Sequence, residues 1–152
     1  LEQVPNSIEE ARGAYEQALM LKQNDPELIS GYAKTLATIA NLHLQNNDFT
    51  QAKLEIEKLS QLTPNDYSVW WQLGRLDYLE GNFELSDVHF KVSLDLLPND
   101  ANLRYQLAVF YFDVGDFERA KLVIDETLKL DPNHQEAQTL LSQILPPEDT
   151  EN

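Results

Sequence analysis

The chain is 152 residues long, enough for one domain with its own core, and its 42% hydrophobic and 24% charged residues are those of a folded globular protein. It contains no cysteine, which excludes disulfides, zinc–thiolate centres and thiol catalysis. The 11 Lys and Arg stand against 26 Asp and Glu, a net charge of −15, which leaves little to cluster on a phosphate backbone or an anionic membrane; no apolar run is long enough to span a bilayer. The acid excess reads as a solvated outer face, or as long-range attraction for a basic partner. Because the first residue is Leu1 and not Met, the chain is expected to begin inside a longer gene product or after processing.

Apolar residues recur at i, i+3, i+4 and i+7, the spacing of amphipathic helices. The first is expected at 7–23 and the second, opened by Asp25-Pro26, at 26–46. Asn47-Asp48-Phe49 turns the chain into a third helix at 49–62, and Pro64-Asn65-Asp66 into a fourth at 66–80. Gly81-Asn82-Phe83 leads to a fifth at 83–97, and Pro98-Asn99-Asp100 to a sixth at 100–114, with Leu103, Leu107, Phe110, Tyr111 and Val114 on one face. Gly115-Asp116-Phe117 opens a seventh at 117–130, and Pro132-Asn133-His134 an eighth at 134–145. Proline disfavours helix in the residue before it, glycine takes the left-handed conformation that ends a helix, and Asn or Asp caps the next one. The segment 146–152 is proline-rich and acidic and is expected to be disordered.

These marks are periodic. Pro64, Pro98 and Pro132 lie 34 residues apart, as do Phe49, Phe83 and Phe117. The equivalent Ala11 and Ala52 are 41 apart, so the second helix is expected to be about a turn longer than its counterparts. Each unit reads helix, tight turn, helix, turn.

The pattern resembles the tetratricopeptide repeat family, whose signature is W-x2-L-G-x2-Y, then A-x3-F, then P. Trp70-x2-Leu73-Gly74, Phe83, Phe90 and Pro98 carry it in one unit. Leu107-Ala108-x2-Tyr111, Gly115, Phe117, Ala120 and Pro132 carry it in the next, and Ile39-Ala40, Phe49, Ala52, Ile56 and Pro64 in the one before. The resemblance implies an all-α fold, a right-handed α-solenoid of stacked antiparallel helix pairs over 1–145. Its parts would be a half repeat at 7–25, full repeats at about 26–66, 67–100 and 101–134, and a capping helix at 135–145. That last helix would give Ala137, Leu141 and Ile144 to the interface and turn its polar residues outward. Small residues at Ala40, Gly74, Ala108, Ala52 and Ala120 allow close helix approach. Arg104, Asp77, Ser86 and Ser93 depart from the signature and weaken those positions. Residues 8–22 match only the second helix of a unit, through Ile8, Ala11, Tyr15 and Ala18. That edge is expected to be completed by an upstream helix or by self-association.

In the family, the first helices of successive units line a concave groove. The matching positions are Lys34, Ala37, Thr38, Asn41, Leu44 and Gln45; Ser68, Trp71, Gln72, Arg75, Tyr78 and Leu79; and Asn102, Tyr105, Gln106, Val109, Phe112 and Asp113. By register Trp70 packs inward. Trp71, Tyr78, Tyr105 and Phe112 would face the groove, or else pack against the next unit. Asn41, Gln72, Asn102 and Gln106 offer amides to an extended peptide backbone. The implied partner is an apolar or aromatic peptide or helix of another protein. The family's chaperone-binding members hold a C-terminal carboxylate with a Lys, Arg and Asn clamp. Here Ala37, Asn41, Gln72, Asn102 and Gln106 stand at the clamp positions, and only Asn41 agrees. The stretches Ala14–Leu19, Asp25–Leu28 and Tyr32–Ala37 are also similar to the repeat domains of bacterial cytochrome c maturation factors, which hold the C-terminal segment of an apocytochrome. That would make the chain a periplasmic assembly chaperone; a further alternative is an oligomerisation or spacer module. No cofactor, metal or catalysis is expected: His43, His89 and His134 are scattered, with His89 and His134 read as exposed, and no phosphate loop or nucleophile elbow occurs.

Overall fold

A computed structural model describes residues 5–144. The acidic segment 146–152 lies outside the described residues. Within them are eight α-helices and no strand: α1 (Asn6–Leu21), α2 (Pro26–Gln45), α3 (Phe49–Leu62), α4 (Tyr67–Leu79), α5 (Phe83–Leu96), α6 (Ala101–Asp113), α7 (Phe117–Leu130) and α8 (Gln135–Ile144). Every expected boundary is met to within two residues. One difference is in α2, which runs 20 residues where its equivalents α4 and α6 run 13. The insertion therefore continues the helix for nearly two turns, not one.

The turns repeat in detail. Asp25, Asp48, Asp66, Asp100 and Asp116 each accept hydrogen bonds from backbone N–H groups in the first turn of the helix they open. Asn47, Gly81 and Gly115 sit at φ 58°, 82° and 81°. After each, the next N–H reaches back to a carbonyl of the ending helix: Asp48 to His43 at 2.8 Å, Asn82 to Asp77 at 2.9 Å, Asp116 to Tyr111 at 2.8 Å. This closes the orphan carbonyls of α2, α4 and α6 and turns the chain sharply into the following helix.

The described residues form two compact units, divided between Leu96 and Leu97. In the first, each helix packs on its neighbour in sequence from α1 through α5. Its core gathers Leu36, Ala40, Ile56, Leu73 and Leu76, with Tyr15, Leu19, Leu44 and Trp70 packed around it. Gly74 permits the α4–α5 contact: a Cβ there would lie 2.7 Å from the Phe90 ring. Ser86 and Ser93, expected to weaken the packing, are fully buried and strengthen it. Their hydroxyls donate to the Gly74 and Tyr67 carbonyls at 2.8 and 2.9 Å, joining α5 to α4. α1 contributes no buried residue, and its end leaves Met20 and Leu21 78% and 88% exposed. In the second unit α6 packs on α7 and α7 on α8, around residues that include Leu107, Ala108, Ile124, Ala137 and Leu140. Leu140 was not among the apolar residues expected of α8.

Candidate functional site

Each unit carries an open pocket on its first helices. In the first unit it lies between α2 and α4, with a volume of about 380 Å³, and is lined by Asn41 and Leu44 from α2, Ser68, Trp71, Gln72, Arg75, Leu76 and Leu79 from α4, and Phe49. In the second it lies between α6 and α8, with a volume of about 450 Å³. Tyr105, Val109, Phe112 and Asp113 form one wall there; Gln135, Glu136, Thr139, Leu140 and Gln143 form the other. Eleven of the eighteen groove positions thus divide between two pockets. Lys34 and Gln106 are exposed elsewhere on α2 and α6, and Tyr78 is half-buried beside Phe83.

The aromatics are neither solvated nor interior. Trp71 packs edge-on against Phe90 at 5.2 Å, Tyr78 against Phe83 at 5.0 Å and Phe112 against Phe117 at 5.4 Å, while Tyr105 lies on His134 at 4.9 Å. Each ring is half-buried and packs on a neighbouring aromatic or imidazole ring, and such packing lowers the ordering cost of binding.

Two family models, both described as tetratricopeptide repeat, match residues 33–66 and 78–144 and together take in more than half of the chain. The chain belongs to the tetratricopeptide repeat family. Among solved structures, that of MamA is 16% identical, with 91% of this chain and 77% of that one covered at a TM-score of 0.58. The first tetratricopeptide repeat domain of Spaghetti (RPAP3), bound to the HSP90 peptide SRMEEVD, is 18% identical, with 74% and 89% covered and a TM-score of 0.56. YrrB, described as a repeat protein with an unusual peptide-binding site, is 21% identical, with 91% and 68% covered and a TM-score of 0.55. At these identities the likeness is one of fold. No curated protein sequence matches the chain. The likeness to cytochrome c maturation factors gains no support here. Tetratricopeptide repeats are in general protein–protein interaction modules and typically non-catalytic.

Behind the grooves, this tetratricopeptide chain departs from the sequence expectation at three polar residues. Asp77 is fully buried, with Oδ1 2.5 Å from Lys53 Nζ and Oδ2 2.6 Å from His89 Nδ1. Burial works to lower the pKa of Lys53. Its hydrogen bonds to Asp77 and Glu80, with their charges, outweigh that and raise it above the usual lysine value. His89 is therefore a packed partner of α4, not an exposed residue; its ring also lies 5.6 Å from Trp70. His134 is likewise buried: its Nδ1 accepts the Ala137 N–H at 3.3 Å and so caps α8. Trp70 packs against the core of the first unit but is only partly buried, and it donates Nε1–H to the Pro64 carbonyl at 2.8 Å; Gln138, two periods on, makes the same bond to Pro132.

Reading by register missed the α8 wall, because that helix looks like a solvated cap. The signal was available: Glu136, Thr139 and Gln143 stand two 34-residue periods after Ser68, Trp71 and Arg75. Phe49 was read as punctuation and also lines a pocket.

Proposed function

We propose that the chain is a non-catalytic binding module that holds an apolar or aromatic peptide or helix of a partner protein in these grooves, to scaffold or assemble a complex. The observation that carries this reading is the repetition of the pocket. The same register positions, two periods apart, form an open cleft of peptide side-chain size in each unit, each walled by oriented rings and amides. Asn41 and Gln72 in one cleft, and Gln135 and Gln143 in the other, can bond an extended backbone while the rings take its apolar side chains. Peptide binding by the Spaghetti domain, and the peptide-binding site named for YrrB, support the class of ligand. An acidic peptide such as SRMEEVD suits this chain poorly: its net charge is −15 and only one clamp residue matches.

Panning a random peptide library on the chain tests the reading. Peptides enriched on the wild type are expected to lose binding to a Trp71→Ala, Tyr105→Ala, Phe112→Ala variant that retains its helical circular dichroism. Should that variant unfold, Asn41→Arg with Gln143→Arg crowds both clefts from exposed positions and gives the same readout. Undiminished binding to either folded variant contradicts it.

A second contact is favoured by the exposure of Met20 and Leu21 on a helix with no buried residue. We propose self-association through residues 8–22. Sedimentation velocity is expected to show a concentration-dependent dimer that Met20→Lys with Leu21→Glu abolishes; a monomer at all concentrations contradicts it.

A further inference from the structure

We propose that the α6–α8 pocket receives a cationic side chain, so that the partner's bound segment is basic as well as apolar. This deepens the groove reading above and rests on it.

The two pockets are the same architectural position with different chemistry. Asn41, Leu44, Ser68 and Arg75 in the first correspond, two 34-residue periods later, to Val109, Phe112, Glu136 and Gln143 in the second. The charged residue lining the first pocket is Arg75, whereas the charged residues lining the second are Asp113 and Glu136. The cation has been replaced by an amide, and two carboxylates have been added, one from each wall.

The carboxylates are placed to accept a guest. Asp113 is the last residue of α6 and Glu136 lies in the first turn of α8, so each wall of the cleft carries one exposed carboxylate. Glu136 has a side chain 70% exposed, with its Oε2 3.3 Å from His134 Nδ1. A carboxylate has about four lone-pair sites, so this one contact leaves it able to accept from an incoming donor. Tyr105 and Phe112, packed on His134 and Phe117, add ring surface to which a guanidinium or ammonium is attracted. A volume of about 450 Å³ accommodates a long side chain with its charged head. An acidic side chain is repelled by both carboxylates, and a purely apolar one covers them without pairing them, a desolvation cost with no return. The net charge of −15 draws the same class of partner from a distance.

The test uses the peptides enriched by the panning above. They are expected to carry Lys or Arg at one fixed position. Replacing it with the neutral citrulline or norleucine is expected to weaken binding to the wild-type chain about tenfold. On the full chain carrying Asp113→Asn and Glu136→Gln, which are exposed substitutions, the same replacement is expected to change little. If groove-dependent peptides are enriched without a fixed basic position, the cation pocket is wrong and the groove stands. The same holds if neutralisation costs as much on the variant as on the wild type. If no enriched peptide depends on Trp71, Tyr105 and Phe112, the groove reading fails and takes the cation pocket with it.

Discussion

A carboxylate with no exposure to water survives at position 77 only because two neighbouring helices supply partners for it. Lys53 from α3 and His89 from α5 both reach Asp77 on α4, so one residue ties three helices together. Asp77→Asn keeps the volume and removes the charge that holds both partners. It is expected to cost about 1–3 kcal/mol, read as a lower urea midpoint at unchanged m-value. Part of the loss is spared because Lys53 keeps Glu80 at 2.6 Å. The same scale sets an alkaline limit. Burial, then the hydrogen bond it donates to Glu16, raises the Tyr32 phenol above its ordinary value of 10.0, and Lys53 is raised above 10.5. For both groups the folded state holds the proton more tightly than the unfolded chain. Their stabilisation is complete below about pH 10 and lost as pH climbs through the folded values. Thermal midpoints from pH 8 to 12 are expected to hold and then fall, and Tyr32→Phe, which lacks the titrating group, to fall less steeply. None of this was legible in the sequence. Asp77, His89 and His134 are ordinary surface residue types, and only the faces that α3, α4, α5 and α6 present make Asp77 and His134 interior and leave His89 partly buried.

Helices were the most legible level, because their ends are written in residues with one physical use. Proline, an Asp cap and a left-handed residue recur each period, and the bounds follow to within two residues. The left-handed sites test this account. Gly81→Ala and Gly115→Ala place a Cβ at positive φ, although nothing lies near it, and each is expected to cost about 1–2 kcal/mol. Asn47→Gly at the equivalent site is expected to be neutral or to stabilise by up to about 1 kcal/mol. Denaturant melts of the three variants read the difference; equal effects at all three sites contradict a backbone origin. α8 shows where pattern reading stops. A helix with polar residues outward looks like a solvated cap, yet those residues are the far wall of a cleft, because α6 lies opposite them.

At the scale of the molecule, the acid excess and the paired clefts bear on the same outcome. A module with a net charge of −15 that binds basic segments associates by long-range attraction, and salt screens that attraction. Association rates of enriched basic peptides are expected to fall steeply between about 50 and 500 mM salt while dissociation changes less. Salt-independent association contradicts an electrostatic contribution. The groove positions implied by the family resemblance include eleven that line the two clefts. The half-buried state of the groove aromatics was not readable, since it depends on Phe83, Phe90, Phe117 and His134 standing behind them.

The central claim is that these clefts are where a partner binds. The most direct measurement is a set of amide correlation spectra of the labelled chain, with and without a saturating enriched peptide. Perturbations are expected to concentrate at Asn41, Trp71 and Gln72 in the first unit and at Tyr105, Phe112 and Thr139 in the second. Perturbations confined to α1, or to the exposed apolar positions Leu54, Val88 and Leu122 of α3, α5 and α7, would contradict it.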